Sequence, residues 1–178
     1  MGTSIQIPEV VFEGRRFRVE RRRFELDGRP HAHDIVVHPG AAVALPLLDN
    51  GRVVLIRNRR IAVEQELIEL PAGTLDPGES PLECAGRELA EETGYRAGCL
   101  RPLMTLYSSP GIMTERMYAF LATELRPGPA ARESTEQIVV VEMPWDEVLS
   151  AIHAGRITDG KTVATVLFYD RFVRGGGR

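Results

Sequence analysis

Through the first third of the chain, hydrophobic positions either alternate with polar ones or gather in short β-branched blocks: Phe17–Phe24, His33–Val37, Ala41–Leu48 and Val53–Ile56. Side chains of a strand point to opposite faces with a period of two, so these runs predict four strands. Asp27-Gly28 predicts the turn between the first two and Asp49-Asn50-Gly51 the turn between the last two, because these residues accept the backbone that tight hairpins require. Ser80-Pro81-Leu82-Glu83 then has the form of a capping box, with Pro81 in the first helical position and Glu83 reaching back to the Ser80 amide. The helix it opens should close at Gly94, where glycine can take the left-handed conformation. Further strands are expected near Leu103–Tyr107, Met117–Leu121 and Ile138–Met143, followed by a short helix after Trp145-Asp146. A last helix should run from about Asp159 to Val173, with Val163, Val166, Leu167 and Phe172 inward. This order implies an α/β fold, a sheet held between helices, with a small sheet at the extreme N-terminus.

Composition narrows the picture. At 178 residues, 43% of them hydrophobic and 26% charged, the chain can bury a sizeable core without disulfides or a structural metal. A formal net charge of -3 argues against a nucleic-acid partner, which needs a positive field. The one basic run, from Arg15 to Arg23, is interrupted by Phe17, Val19 and Glu20 and is expected to be the solvated face of a strand. Cys84 and Cys99 have no zinc or redox spacing and are expected to be reduced packing residues. No apolar signal core or membrane-length stretch occurs, so the expected location is cytoplasmic, with no membrane partner. His31 and His33 alternate on a strand and are expected to be solvated or hydrogen-bonded rather than metal ligands.

The chemistry concentrates in the Ser80 helix. At ~100° per residue, Glu88, Glu91 and Glu92 share one sector and Leu82, Ala85 and Leu89 a neighbouring apolar one. Crowded carboxylates repel. A hard cation such as Mg2+, with Mn2+ as an alternative, would neutralise them and then take substrate phosphates. Arg87, four residues before Glu91, can also pair with it. A solvated acidic face is the other reading of the same pattern.

From Gly73 to Tyr95 the chain reads GTLDPGESPLECAGRELAEETGY, which resembles the box of the Nudix hydrolases, G-x5-E-x7-R-E-U-x-E-E-x-G-U, where U is a bulky apolar residue. Gly73, Glu79, Arg87, Glu88, Glu91, Glu92 and Gly94 match every fixed position, while Tyr95 stands where an aliphatic residue is commoner. The resemblance extends over nearly the whole chain and implies the Nudix-type α/β/α sandwich of mixed sheet. It further implies that Glu88 and Glu92 are the principal metal ligands, joined by the carbonyl of Ala72, with Glu91 a further or water-mediated ligand. Arg87 would orient them, and Glu79 would be a structural carboxylate.

Beyond the box, Tyr107-Ser108-Ser109-Pro110-Gly111 places Pro110 fifteen residues after Tyr95, similar to the marker proline of the ADP-ribose pyrophosphatases of that family. The resemblance thereby implies substrate contacts from Ser109, Pro110, Gly111 and the following Glu115; read alone, Pro110-Gly111 is an ordinary turn. Upstream, Arg60 and Glu69 are the implied pocket residues, Arg60 being suited to a phosphate; a surface ion pair is the alternative. His33 and Asp34 stand where many of these enzymes carry an Arg-Glu pair. For the catalytic base the resemblance points to a loop glutamate, Glu136, with Glu133 as its rival because Ser134 occupies the other usual position. The reaction implied is hydrolysis of ADP-ribose to AMP and ribose 5-phosphate, with another nucleoside diphosphate sugar such as GDP-mannose, or a sensor that binds without cleaving, as alternatives. Related enzymes are homodimers whose N-terminal strands cross to the partner, which divides this chain into a dimer-forming segment, residues 1–40, and a Nudix hydrolase domain, residues 41–178.

Overall fold

The computed structural model describes residues 7–131 and 137–176. The N-terminal strands β1 (Glu9–Glu13), β2 (Arg18–Leu26) and β3 (Arg29–Val37) form an antiparallel sheet of their own. Asp27 and Gly28 join β2 to β3 with φ of 51° and 72°, the left-handed pair that matches the twist of a two-residue hairpin. The basic run is more than a solvated face. Arg21 donates twice to Asp34 at 2.8 and 2.9 Å, Arg23 pairs with Glu9, and Glu20, buried, is held between Arg18 and Arg22. Arg18, Arg21, Arg22 and Arg23 each meet an acid across or along the sheet, which alternation alone does not reveal. His31 and His33 pack about the Phe24 ring with centroids 5.6 and 5.0 Å away.

The rest of the chain is a three-layer sandwich. A mixed sheet has the order β7-β4-β9-β8, built from β4 (Ala41–Pro46), β7 (Ala72–Thr74), β8 (Tyr95–Tyr107) and β9 (Arg116–Pro127). A second sheet, β10-β5-β6, uses β5 (Arg52–Arg60), β6 (Gln65–Glu69) and β10 (Ile138–Pro144). Strand β4 is buried on both faces, which explains its unbroken apolar sequence. Its odd positions, Val43 and Leu45, join Trp145, Val148, Ile157 and Val166 beneath α2 (Trp145–His153) and α3 (Gly160–Tyr169). Its even positions, Ala42 and Ala44, face Cys84, Ala85 and Leu89 of α1 (Pro81–Thr93). Small residues on that side let α1 lie close to the sheet.

Three sequence expectations change. Leu167 and Phe172 are exposed, 45% and 60%, whereas Val166 is buried and Val163 packs on the core. The helix tightens its inward stripe to Thr162, Thr165, Val166 and Tyr169 before a π-helical turn, Asp170–Arg174. Leu82 is exposed because the first turn of α1 faces solvent, and burial begins at Cys84. Strand β8 starts at Tyr95 rather than near Leu103, with a bulge between Pro102 and Met104 that breaks the two-residue period. Among the described residues no helix is long and apolar enough to cross a membrane.

Candidate active site

The capping box forms as the residues dictate: Ser80 accepts from Glu83 N, and the Glu83 carboxylate accepts from Ser80 N at 2.9 Å. Gly94 closes α1 with φ 79°. The helix is thus fixed at both ends, and its polar face carries Arg87, Glu88, Glu91 and Glu92.

Arg87 organises this face. It donates to Glu79 from Nε at 2.7 Å and Nη2 at 2.9 Å, and from Nη1 to Glu88 at 2.7 Å and Glu91 at 3.0 Å. These bonds hold the guanidinium proton firmly, raising its pKa, with Glu79 the largest cause. The same pair drops the Glu79 carboxyl from 4.5 to about 2. Glu79 also accepts from Asp76 N, so its position is structural, at the entry to the helix.

The fixed glycine of the box has a steric reason. A Cβ on Gly73 would lie 1.9–2.5 Å from the carboxylate atoms of Glu88, so any other residue there would displace that carboxylate from β7. Glu92 is 2% exposed and accepts from Ala72 N at 2.9 Å. The carboxylates of Glu88 and Glu92 therefore rest against the backbone of residues 72–73. Among the described residues no three His, Cys, Asp or Glu side chains converge into a ready metal cage. Oxygen donors on one rim are still the set Mg2+ uses, since it binds through one or two carboxylates, keeps water and completes its shell with substrate phosphates.

These groups open into a cavity of about 1340 Å³. Its wall includes Arg60, Glu69, Ala72, Glu88, Glu91, Glu92 and Glu115. Arg60 donates to Glu69 from Nε at 2.7 Å and Nη2 at 2.6 Å, leaving Nη1 outside this fork. Burial pushes the Glu69 carboxyl up, but Arg60 and Lys161 outweigh it and leave the group below its usual range. Arg60 is correspondingly raised, chiefly by Glu69. Lys161 contacts Glu69 and pairs with Asp159 at 2.9 Å. Glu115 reaches the wall with Ser108, whereas Ser109, Pro110 and Gly111 form the turn behind it and do not line the cavity. Thr114 N bonds to Val36 O and Val36 N to Ile112 O, tying that turn to β3.

Sequence reasoning missed Asp159, Lys161, Arg15 and Arg16, which also line the cavity. Asp159 is legible only as a helix cap, and Lys161 acquires its role through Glu69, 92 residues away. Glu133 and Glu136 lie outside the described residues. The described chain approaches them from α1: Gly128 N donates to Gly94 O, Ala131 N to Glu91 O at 3.0 Å, and Ala131 borders the cavity.

A three-layer sandwich with a carboxylate-bearing helix on the rim of a cavity, faced by a guanidinium and an ammonium, is an arrangement suited to anionic ligands and a hard cation. Comparison with known proteins narrows the class: the NUDIX domain model matches residues 37–166. An ADP-ribose pyrophosphatase of Bacillus subtilis (strain 168) is 34% identical over 163 residues, 90% of this chain and 88% of the relative. A methanol dehydrogenase activator of Bacillus methanolicus is 33% identical with the same coverage. A GDP-mannose pyrophosphatase of Escherichia coli O1:K1 / APEC is 39% identical over 149 residues, 77% of this chain and 78% of the relative. The crystal structure of an ADP compounds hydrolase superposes with a TM-score of 0.87 at 26% identity, covering 100% of this chain and 97% of its own. The chain belongs to the Nudix family and is a Nudix hydrolase.

Proposed function

We propose that the chain hydrolyses the pyrophosphate bond of ADP-ribose, giving AMP and ribose 5-phosphate, with Mg2+ as cofactor and Mn2+ able to replace it. The observation that carries this reading is the opposition, across one cavity, of Glu88 and Glu92 on the Ala72-Gly73 backbone and the Arg60–Glu69–Lys161 cluster. The first set suits a hard cation and the second an anionic diphosphate. At about 1340 Å³, the space exceeds the roughly 300–1,000 Å³ of common small-molecule sites, in keeping with a substrate as long as a nucleoside diphosphate sugar.

Glu88, Glu92 and the Ala72 carbonyl would hold the cation, with Glu91 joining directly or through water. When bound, such a cation neutralises phosphate charge and acidifies a water. Arg87 holds Glu88 and Glu91 in place. Arg60, oriented by Glu69, places the diphosphate by a guanidinium contact, and Glu115, with the Ser109-Pro110-Gly111 turn behind it, borders the rest of the substrate. Glu136 takes the proton of the attacking water, with Glu133 as the rival base; the anchoring of Ala131 on α1 supports a base from the segment that follows. Residues 1–40 serve as a dimer-forming arm beside the hydrolase domain of residues 41–178, an assignment supported by the exposed apolar β1 strand.

Hydrolysis of GDP-mannose is the second reading, favoured by the 39% identity to a pyrophosphatase of that name and by the replacement of the usual Arg-Glu pair by His33 and Asp34. Asp34 is already held by Arg21. Product release measured across ADP-ribose, GDP-mannose and dinucleotides decides between them. ADP-ribose should lead GDP-mannose in kcat/KM by about 10-fold or more; the opposite order would make GDP-mannose the substrate.

A further inference from the structure

The two residues Leu70 and Pro71 carry the chain from β6 in one sheet to β7 in the other, and they immediately precede Ala72. Leu70 is fully buried, and its N–H lies past Glu69, the last residue of the β5–β6 ladder. A buried amide in that position needs a partner from elsewhere. It finds the Thr162 hydroxyl on α3, which accepts from Leu70 N at 2.8 Å.

That hydroxyl is itself fixed. Its single proton is donated to Asp159 Oδ2 at 2.6 Å, and the same carboxylate oxygen caps α3 by accepting from Thr162 N at 3.0 Å. With the proton committed, the oxygen lone pairs are what remain for Leu70. Pro71 O accepts from Ala44 N at 3.0 Å, and Ala72 N donates to Glu92 at 2.9 Å. Three consecutive residues are thus anchored by three different elements, α3, β4 and α1, and the peptide that ends in the Ala72 carbonyl has little freedom left.

We propose that Thr162 is a positioning residue for the cation site, holding the Leu70 amide so that the Ala72 carbonyl and Glu92 stay in register. The proposal rests on the reading of Ala72 and Glu92 as cation ligands. Thr162 is fully buried and does not line the cavity; it acts through the backbone. Threonine suits the role in a way valine does not, because the two have the same shape and only the hydroxyl can accept from Leu70 and donate to Asp159.

The test compares T162V with T162S and the parent chain. Mn2+ affinity is measured by electron paramagnetic resonance without substrate, and amide exchange at Leu70 by NMR without metal. T162V should speed Leu70 exchange and weaken Mn2+ binding about 10-fold or more, and T162S should restore both. Coupling is reciprocal, so saturating Mg2+ should slow Leu70 exchange in the parent chain, a reading that needs no variant to fold. The inference is overturned if T162V binds Mn2+ as the parent does, if T162S is as weak as T162V, or if Mg2+ leaves Leu70 exchange unchanged. A parent chain that binds no Mn2+ refutes the ligand reading itself, which separates the two failures.

Discussion

Arg87 is bonded to Glu79, Glu88 and Glu91 at once, so one cation of the protein's own restrains the acids that a metal would later need. The consequence is readable in pH. The folded-state carboxyl of Glu79 lies near 2 against 4.5 for a free one, mainly through Arg87. A depressed folded pKa means that the unfolded chain binds the proton more readily, so this pair stabilises the fold above about pH 4.5 and stops doing so as pH falls through 2. The melting temperature of the parent chain should exceed that of Glu79→Gln at neutral pH, and the gap should close between those two values; a gap independent of pH would deny the pair its role. The box residues were legible because their chemistry and spacing are local to one helix and one turn. Lys161 and Thr162 were not, since each acquires its partner, Glu69 or Leu70, from 92 residues away, and no spacing rule links positions so far apart.

Elements follow the same division. Helix α1 was readable end to end from Ser80, whose side chain caps the first turn, and Gly94, which without a Cβ takes the left-handed conformation that closes the last. Strands β6 and β7 were not, being five and three residues long with little apolar period. The small N-terminal sheet was expected, though its acid–base pairing was not. In that sheet every residue of β1 is exposed, with Val10 at 52% and Phe12 at 53%. Apolar strand surface left in water favours a partner, and a second copy of the chain is the proposed one. Light scattering on a sizing column should give the mass of two chains for the parent and of one for Val10→Asp/Phe12→Asp. A parent chain that runs at the mass of one would contradict the dimer.

At the scale of the whole molecule, the sandwich brings together segments that are distant in the chain. Strand β5 delivers Arg60, β6 delivers Glu69, β7 delivers Ala72, α1 delivers Glu88 and Glu92, and α3 delivers Lys161 to one cavity. The packing that achieves this is the alternation of β4 and β9 between two helical layers. We propose that these carboxylates hold a divalent cation that is required for hydrolysis. Release of AMP from ADP-ribose, measured against free Mg2+ for the parent chain and Glu92→Gln, is the deciding experiment. The parent should be inactive in chelator and should recover saturably with Mg2+, and Glu92→Gln should lose about 100-fold or more of that turnover. Turnover that ignores Mg2+, or a Glu92→Gln variant as fast as the parent, would contradict it.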